Sequence, residues 1–315
     1  MRKGDRVPKR MSLIDFSKKY SDEEKCLNDF WEKRCAIGFV CSKCGCSNGY
    51  KIEKRFLWQC KQCKRQMKIL SGTVFENSKL EIEKWYWAAF LIISSKAGIS
   101  AKELQSQIGV TYKTAWYVNR RLREVMCLAN EKYKLSGIVT MDEAYFTGRE
   151  HDEKMPKKRG RGTNKSKVIV AVSLTDDGKP QYARMQVVEN FRAKTIESFA
   201  KRHVEKGSKI ITDGFQSYKS QKITKDYFVD YDMLPADSAD SKLKWLHIFV
   251  SNAKAFVLGT FHGLKADDLQ LYLDEFCYRF NRRYIPHLAF DKLINSAIIT
   301  PTVGYYYSDY DISEE

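Results

Sequence analysis

No stretch of this 315-residue chain is apolar for long enough to cross a bilayer. The best run, WYWAAFLIISS from Trp85, stops well short. The basic N-terminus, MRKGDRVPKRMSLIDF, has no apolar h-region behind it, so a secretory leader is not expected. Nine cysteines are too few and too clustered for a secreted disulfide scaffold of this length. Five fall between Cys35 and Cys60, whereas Cys127 and Cys277 sit in apolar, helical contexts. That usage points to a reducing compartment with one metal site, and to a soluble intracellular protein. Acidic residues are also short: 39 Asp and Glu face 55 Lys and Arg, a net charge of +16. Such an excess favours a polyanionic partner, because neutralising phosphates releases condensed counterions. Disorder is excluded as the default by a composition 43% hydrophobic and 13% aromatic. The length suits two or three domains.

Residues 12–35 carry apolar positions at helical spacing, with Phe30 and Trp31 as anchors. Cys41-Ser-Lys-Cys44 and Cys60-Lys-Gln-Cys63 follow, separated by fifteen residues. Each CxxC sets two thiolates on one tight knuckle, and two knuckles complete a tetrahedral zinc site. The intervening GYKIEKRFLWQC alternates as a short hairpin strand does, and Cys46 is read as a spare, unligated thiol. Residues 79–95 form a Trp-rich apolar helix with Trp85 and Trp87 in its core. In GISAKELQSQIGVTYKTAWYVNRRLREVM, Ser100 and Glu103 make a capping box, Gly109 lies in a turn, and Thr111 caps a second helix. Ala115, Val118, Leu122 and Val125 form its apolar face, leaving Lys113, Tyr117, Arg120 and Arg121 on the others. A short helix, a glycine turn and a basic second helix describe a helix-turn-helix, whose second helix enters the DNA major groove.

From Lys134 the pattern turns to strands: LSGIVTMDEAYF, then two joined by an Asp-Asp-Gly turn within SKVIVAVSLTDDGKPQYARMQVVE. A helix with Asn190 as its cap follows, then the short strand SKIITDG and a helix or loop through 230. LKWLHIFVSNAKAFVLGT is ambiguous, a strand running into a helix, and DDLQLYLDEFCYRFNRR is an amphipathic helix. This order is that of an α/β fold with a ribonuclease H-like mixed sheet flanked by helices. The basic loop REHDEKMPKKRGRGTNKSK between the first two strands is a solvated hairpin tip or a strand-gripping arm. The divisions are an N-terminal helical segment (1–35), a zinc ribbon (36–75), a helix-turn-helix region (76–130), a catalytic domain (134–290) and a tail (291–315).

An aspartate among apolar residues of a central strand is expensive unless paired or metal-bound, which singles out Asp142. Glu143 faces the opposite surface, as a structural residue. Asp213 closes a strand before Gly214, where a sheet's C-terminal edge exposes it. Together the two carboxylates suit shared Mg2+ or Mn2+ ions that activate an attacking oxygen and stabilise a leaving one. For a third ligand no glutamate lies between Ser241 and Leu273. Magnesium's aversion to imidazole favours Asn252 over His247, with Lys254 on a DNA phosphate.

These pieces resemble the insertion-sequence transposases of the bacterial ISXO-type, Merlin-related group. The matching segments are the CxxC…CxxC ribbon, MDEAYFTG, ITDGFQSY, HIFVSNAKAFVLGTFHG and YLDEFCYRFNRR. The resemblance implies a catalytic set of Asp142, Asp213, Asn252 and Lys254. Related members carry a glutamate seven residues before the lysine, the position of His247, so the third ligand stays open between Asn252 and His247. It further implies binding of terminal inverted repeats and target double-stranded DNA, metal-dependent strand cleavage and transfer, at least a dimer on DNA, and a place in the bacterial cytoplasm on the nucleoid. Two other readings compete: a decayed DNA-binding relative, and a zinc-ribbon transcription regulator with an unrelated effector domain.

Overall fold

The computed structural model describes residues 9–146, 165–213, 216–219, 221–232, 241–262 and 264–301. The basic loop between the first two catalytic strands lies almost wholly outside them. The chain divides into two compact units, residues 1–128 with 284–315, and residues 129–283. Where sequence reading ends the catalytic domain at 290 and begins a tail, the second unit closes at 283 and residues 289–299 form a helix of the first.

The first unit begins with α1 (Leu13–Lys19) and α2 (Glu23–Ile37), one helical stretch broken where Asp22 caps α2 through the amide of Lys25. Phe30 and Trp31 are buried as expected. Strands β1 (Gly49–Ile52), β2 (Leu57–Cys60) and β3 (Gln66–Lys68) make a small antiparallel sheet around the cysteine knuckles. Helices α3 (Ile82–Ser94), α4 (Ala101–Ile108), α5 (Tyr112–Asn130) and the later α10 (Ala289–Ile299) complete the first unit apart from the last residues of α5. Phe16 stacks on Phe90 and meets Phe290 edge-on, which ties α1, α3 and α10 together. Glu23 of α2 accepts hydrogen bonds from the amides of Ile82 and Glu83, capping α3 from outside that helix. Trp85 is buried, whereas Trp87 is only half-buried, edge-on to Phe16.

The ribbon fits a zinc ion by the chemistry of its donors. The sulfurs of Cys41, Cys44, Cys60 and Cys63 all lie within 4.8 Å of one another, with two pairs at 3.5 Å. A zinc–sulfur bond of about 2.3 Å gives a tetrahedron edge of about 3.8 Å. Amides of Cys63 and then Gln62 bring the Cys60 thiol down to about 6, so it is largely the metal-binding thiolate at neutral pH. Cys46 stays outside the cluster, directed at the carbonyl of Asn48.

The second unit is built on strands β4 (Ile138–Phe146), β5 (Ser166–Leu174), β6 (Pro180–Val188), β7 (Lys209–Thr212) and β8 (Phe228–Tyr231). Among the described residues the sheet runs β6-β5-β4-β7-β8, with the first three strands antiparallel and β7 and β8 parallel to β4. Three antiparallel strands followed by two parallel ones, in the order 3-2-1-4-5, form the ribonuclease H-like sheet expected. Strand β8 was not expected: FVDY is short, half-exposed and lacks alternation. Helix α6 (Ala193–His203) covers one face, with α7 (Gln221–Asp226) beside it; α8 (Lys244–Thr260) and α9 (Leu269–Phe280) cover the other. Helix α8 is helical throughout, not a strand running into a helix. Asn190 is not the N-cap of α6; it sits two residues upstream and accepts from Arg192 N and Thr195 Oγ1.

Strand β6 is an edge, and an open edge invites pairing with other chains. Side-chain amides close it. Gln270 accepts from Val187 N and donates to Met185 O. Asn281 accepts from Ala183 N and donates to Ala183 O. Thus α9 acts as a substitute neighbouring strand.

We expect Asn281→Ala to cost about 2–4 kcal/mol, because it strands two buried backbone groups. Urea unfolding checks this, and a loss below about 0.5 kcal/mol contradicts the edge-closing role. Chelation, or Cys60→Ala, should release one zinc per chain and make residues 38–70 sensitive to protease. Metal content and limited proteolysis read that outcome.

Candidate active site

Strand β4 presents its side chains alternately to the two faces. Val139 and Met141 enter the core under α6, while Ala144 and Phe146 enter the core under α8 and α9. Asp142 shares the second face by this alternation, and Glu143 shares the first. On β7, Ile210 belongs to the α6 core, so Asp213 takes the α8 side as well.

The strand register then brings the two aspartates together. Strands β4 and β7 pair as Ile138↔Lys209, Val139↔Ile210 and Thr140↔Ile211. Continued two residues further, the same offset sets Asp142 beside Asp213, at the C-terminal ends of two parallel strands. Asp142 is mostly covered, and its Oδ1 accepts from the amide of Glu143 at 2.7 Å. Asp213 is exposed just beyond the strand end.

Helix α8 sets His247 against Asp142. Its Nε2 lies 3.2 Å from Asp142 Oδ2. Lys254, seven residues on and hence on the same helical flank, sets its ammonium 5.9 Å from the Phe146 ring centroid, further along β4. Asn252 is exposed. It lies five residues from His247, about 140° around the helix axis at about 100° per residue. The structure therefore sets His247 against Asp142, with Asp213 on the neighbouring strand by register, and Lys254 beside Phe146 on the same flank of α8; Asn252 lies on the other flank.

The donors of Asp142, Asp213 and His247 do not all fall within 4.8 Å of one another, as the four cysteine sulfurs do. Two carboxylates repel each other unless a cation lies between them. Two carboxylate oxygens and an imidazole nitrogen form a donor set suited to Mn2+ and usable by Mg2+. Sequence reading passed over Tyr218, a fully buried side chain near these groups. Burial, then the charges of Glu143, Asp142 and Asp213, push its hydroxyl well above the ordinary phenol range, so it stays protonated. It lies in the short helical segment Gln216–Lys219 and packs into the α6 core, a placement that no periodicity in the sequence reveals.

In the first unit, α4 and α5 meet through Gly109 in the left-handed conformation. Ser100 and Thr111 cap them as expected, accepting from Glu103 N and Thr114 N. Ala115, Val118, Leu122 and Val125 are fully buried. Lys113 is exposed, and Tyr117 is exposed with its ring edge toward Trp85. Arg120 and Arg121 are mostly covered, because both grip Glu124: Arg120 Nε at 3.3 Å and Arg121 Nη1 at 2.8 Å.

Residues 21–66 match the family described as transposase zinc-ribbon domain, and residues 134–281 match the ISXO2-like transposase domain. The chain is 28% identical over 232 residues to an uncharacterized protein in transposable element ISH50 of Halobacterium salinarum, covering 68% of this chain and 76% of that protein. Among solved structures, the catalytic core domain of BIV integrase is similar at 16% identity and a TM-score of 0.27, covering 44% of this chain and 81% of that one. The catalytic domain of Mos1 mariner transposase is similar at 17% identity and a TM-score of 0.25, covering 57% and 93%. By these two matches, residues 21–66 are similar to a transposase zinc-ribbon domain and residues 134–281 to an ISXO2-like transposase domain.

Proposed function

We propose that this protein is a DNA transposase that binds the terminal inverted repeats of an insertion sequence and carries out divalent-metal-dependent strand cleavage and strand transfer. The observation that carries this reading is the β4–β7 register, which sets Asp142 beside Asp213 on the face where His247 meets Asp142. Asp142 and Asp213 supply two hard oxygen donors, and the His247 imidazole nitrogen supplies the third donor. A divalent cation bound there supplies Lewis acidity for an in-line displacement at a phosphodiester. Lys254, on the His247 flank, holds a DNA phosphate next to the site.

Asn252 takes no part in binding the cation on this reading. Phosphate contacts by the basic surface, including Lys113 of α5, position the DNA, and the α4–α5 pair acts as a helix-turn-helix. Pairing two DNA ends calls for at least two copies. The imidazole standing where related members carry glutamate also favours a second reading, a DNA-binding relative that no longer cuts.

The test is cleavage of labelled duplex carrying the ends of the element, with Mg2+ or Mn2+. Cutting at the repeat tip, better supported by Mn2+ than by Mg2+, is expected of the wild type. Asp142→Ala and Asp213→Ala should abolish it. His247→Ala should lower it about 10- to 100-fold, while His247→Glu should shift the preference toward Mg2+. Asn252→Ala should stay within about twofold of wild type, since a residue away from the chemistry has little effect. Binding without cutting under every metal condition supports the second reading.

A further inference from the structure

Helix α5 exposes three large aromatic side chains within six residues of its N-terminus: Tyr112 at 55%, Trp116 at 42% and Tyr117 at 37%. A single exposed aromatic needs no explanation, but three neighbours on one helix form an apolar patch. They belong to two stripes at i, i+4 spacing. One runs Tyr112, Trp116, Arg120, and the other Lys113, Tyr117, Arg121. Both stripes end on Glu124, which holds the two arginines.

The clasp assigns the two halves of the helix different work. With Arg121 Nη1 on Glu124, its guanidinium does not offer a free fork to a guanine edge. Instead, Arg120 lies over the Trp116 ring at 5.5 Å and Arg121 over the Tyr117 ring at 5.2 Å. These cation–π contacts brace the aromatic rings from their C-terminal side. The exposed end of the helix is thus a braced aromatic surface with the exposed Lys113 beside it.

The chemistry selects the partner. The helix carries Lys113, Arg120, Arg121 and Arg123 against the single carboxylate of Glu124, so its field favours a polyanion. The feature of a DNA major groove that offers apolar contact is the C5-methyl group of thymine. On the transposase reading given above, we propose that Tyr112 and Trp116 are specificity-determining residues that read thymine methyl groups in the terminal repeat. Lys113 holds the adjoining phosphate. Arg120 and Arg121 are positioning residues that act through the rings they brace.

The test uses the full chain, zinc retained, and duplexes in which single thymidines of the terminal repeat are replaced by deoxyuridine. Equilibrium binding is measured by anisotropy against a scrambled duplex over a range of salt concentrations. In the wild type, at least one such replacement should weaken binding about 5- to 10-fold. That penalty should vanish in Trp116→Ala or Tyr112→Ala. Each variant should also lose about tenfold in preference for the repeat while keeping its salt dependence. Lys113→Ala should weaken both duplexes alike and lower the salt slope by about one. A wild type that prefers the repeat, but whose deoxyuridine penalties persist in both variants, overturns this assignment and leaves the transposase reading standing. A wild type with no preference for the repeat overturns both. Variants that keep full DNA preference but no longer self-associate assign the patch to a protein partner and also overturn it.

Discussion

The pairing of β4 with β7 is the constraint on which the second unit depends. Parallel strands cannot be joined by a tight turn, so the chain must leave β4, cross β5, β6 and α6, and return beside its starting point. That long detour fixes an offset of one strand against the other. The offset turns two aspartates far apart in sequence into neighbours. The cores under α6 and under α8 each take alternate residues of β4, so a slip of one residue would bury Asp142 under α6 and turn Met141 to the other face. Thus hydrophobic packing on both faces holds the register that the carboxylates need. The amides of Gln270 and Asn281 close the far edge of the same sheet, so pairing ends where the fold requires it.

The first unit solves a different problem. Three short strands between Gly49 and Lys68 cannot bury enough apolar surface to be stable alone, and four cysteines supply the missing constraint. The helices beyond need no metal. They are held by an aromatic core around Phe16, Phe90 and Phe290 and by Glu23 capping α3. In α5 a single carboxylate, Glu124, decides which cations remain available at the surface.

Much of this was legible in the residues. The CxxC knuckles, the caps at Ser100 and Thr111, and the apolar stripe of α5 each express a local rule, and the structure follows them. Asp142 stood out because a carboxylate among Met141, Ala144 and Val139 needs a reason. What the residues did not reveal was governed by geometry across elements. Strand β8 is defined by its neighbour β7 and not by its own composition. The residues left the third ligand open between Asn252, which magnesium's donor preference favours, and His247; helical phase, which sets His247 against Asp142, supports the proposed choice of His247. Arg120 and Arg121 looked free because each was read alone. Glu124, four and three residues on, was the signal that would have tied them.

On the function proposed above, Asp142, Asp213 and His247 form one divalent-cation site at the ends of β4 and β7. The most direct measurement is an anomalous difference map from crystals of the full chain soaked in Mn2+. The expected result is a manganese peak bonded to both carboxylates and to the His247 imidazole, lost from the Asp142→Ala protein. Manganese bound to Asn252, or no peak near the two aspartates in crystals whose other acidic surfaces take up the ion, would contradict it.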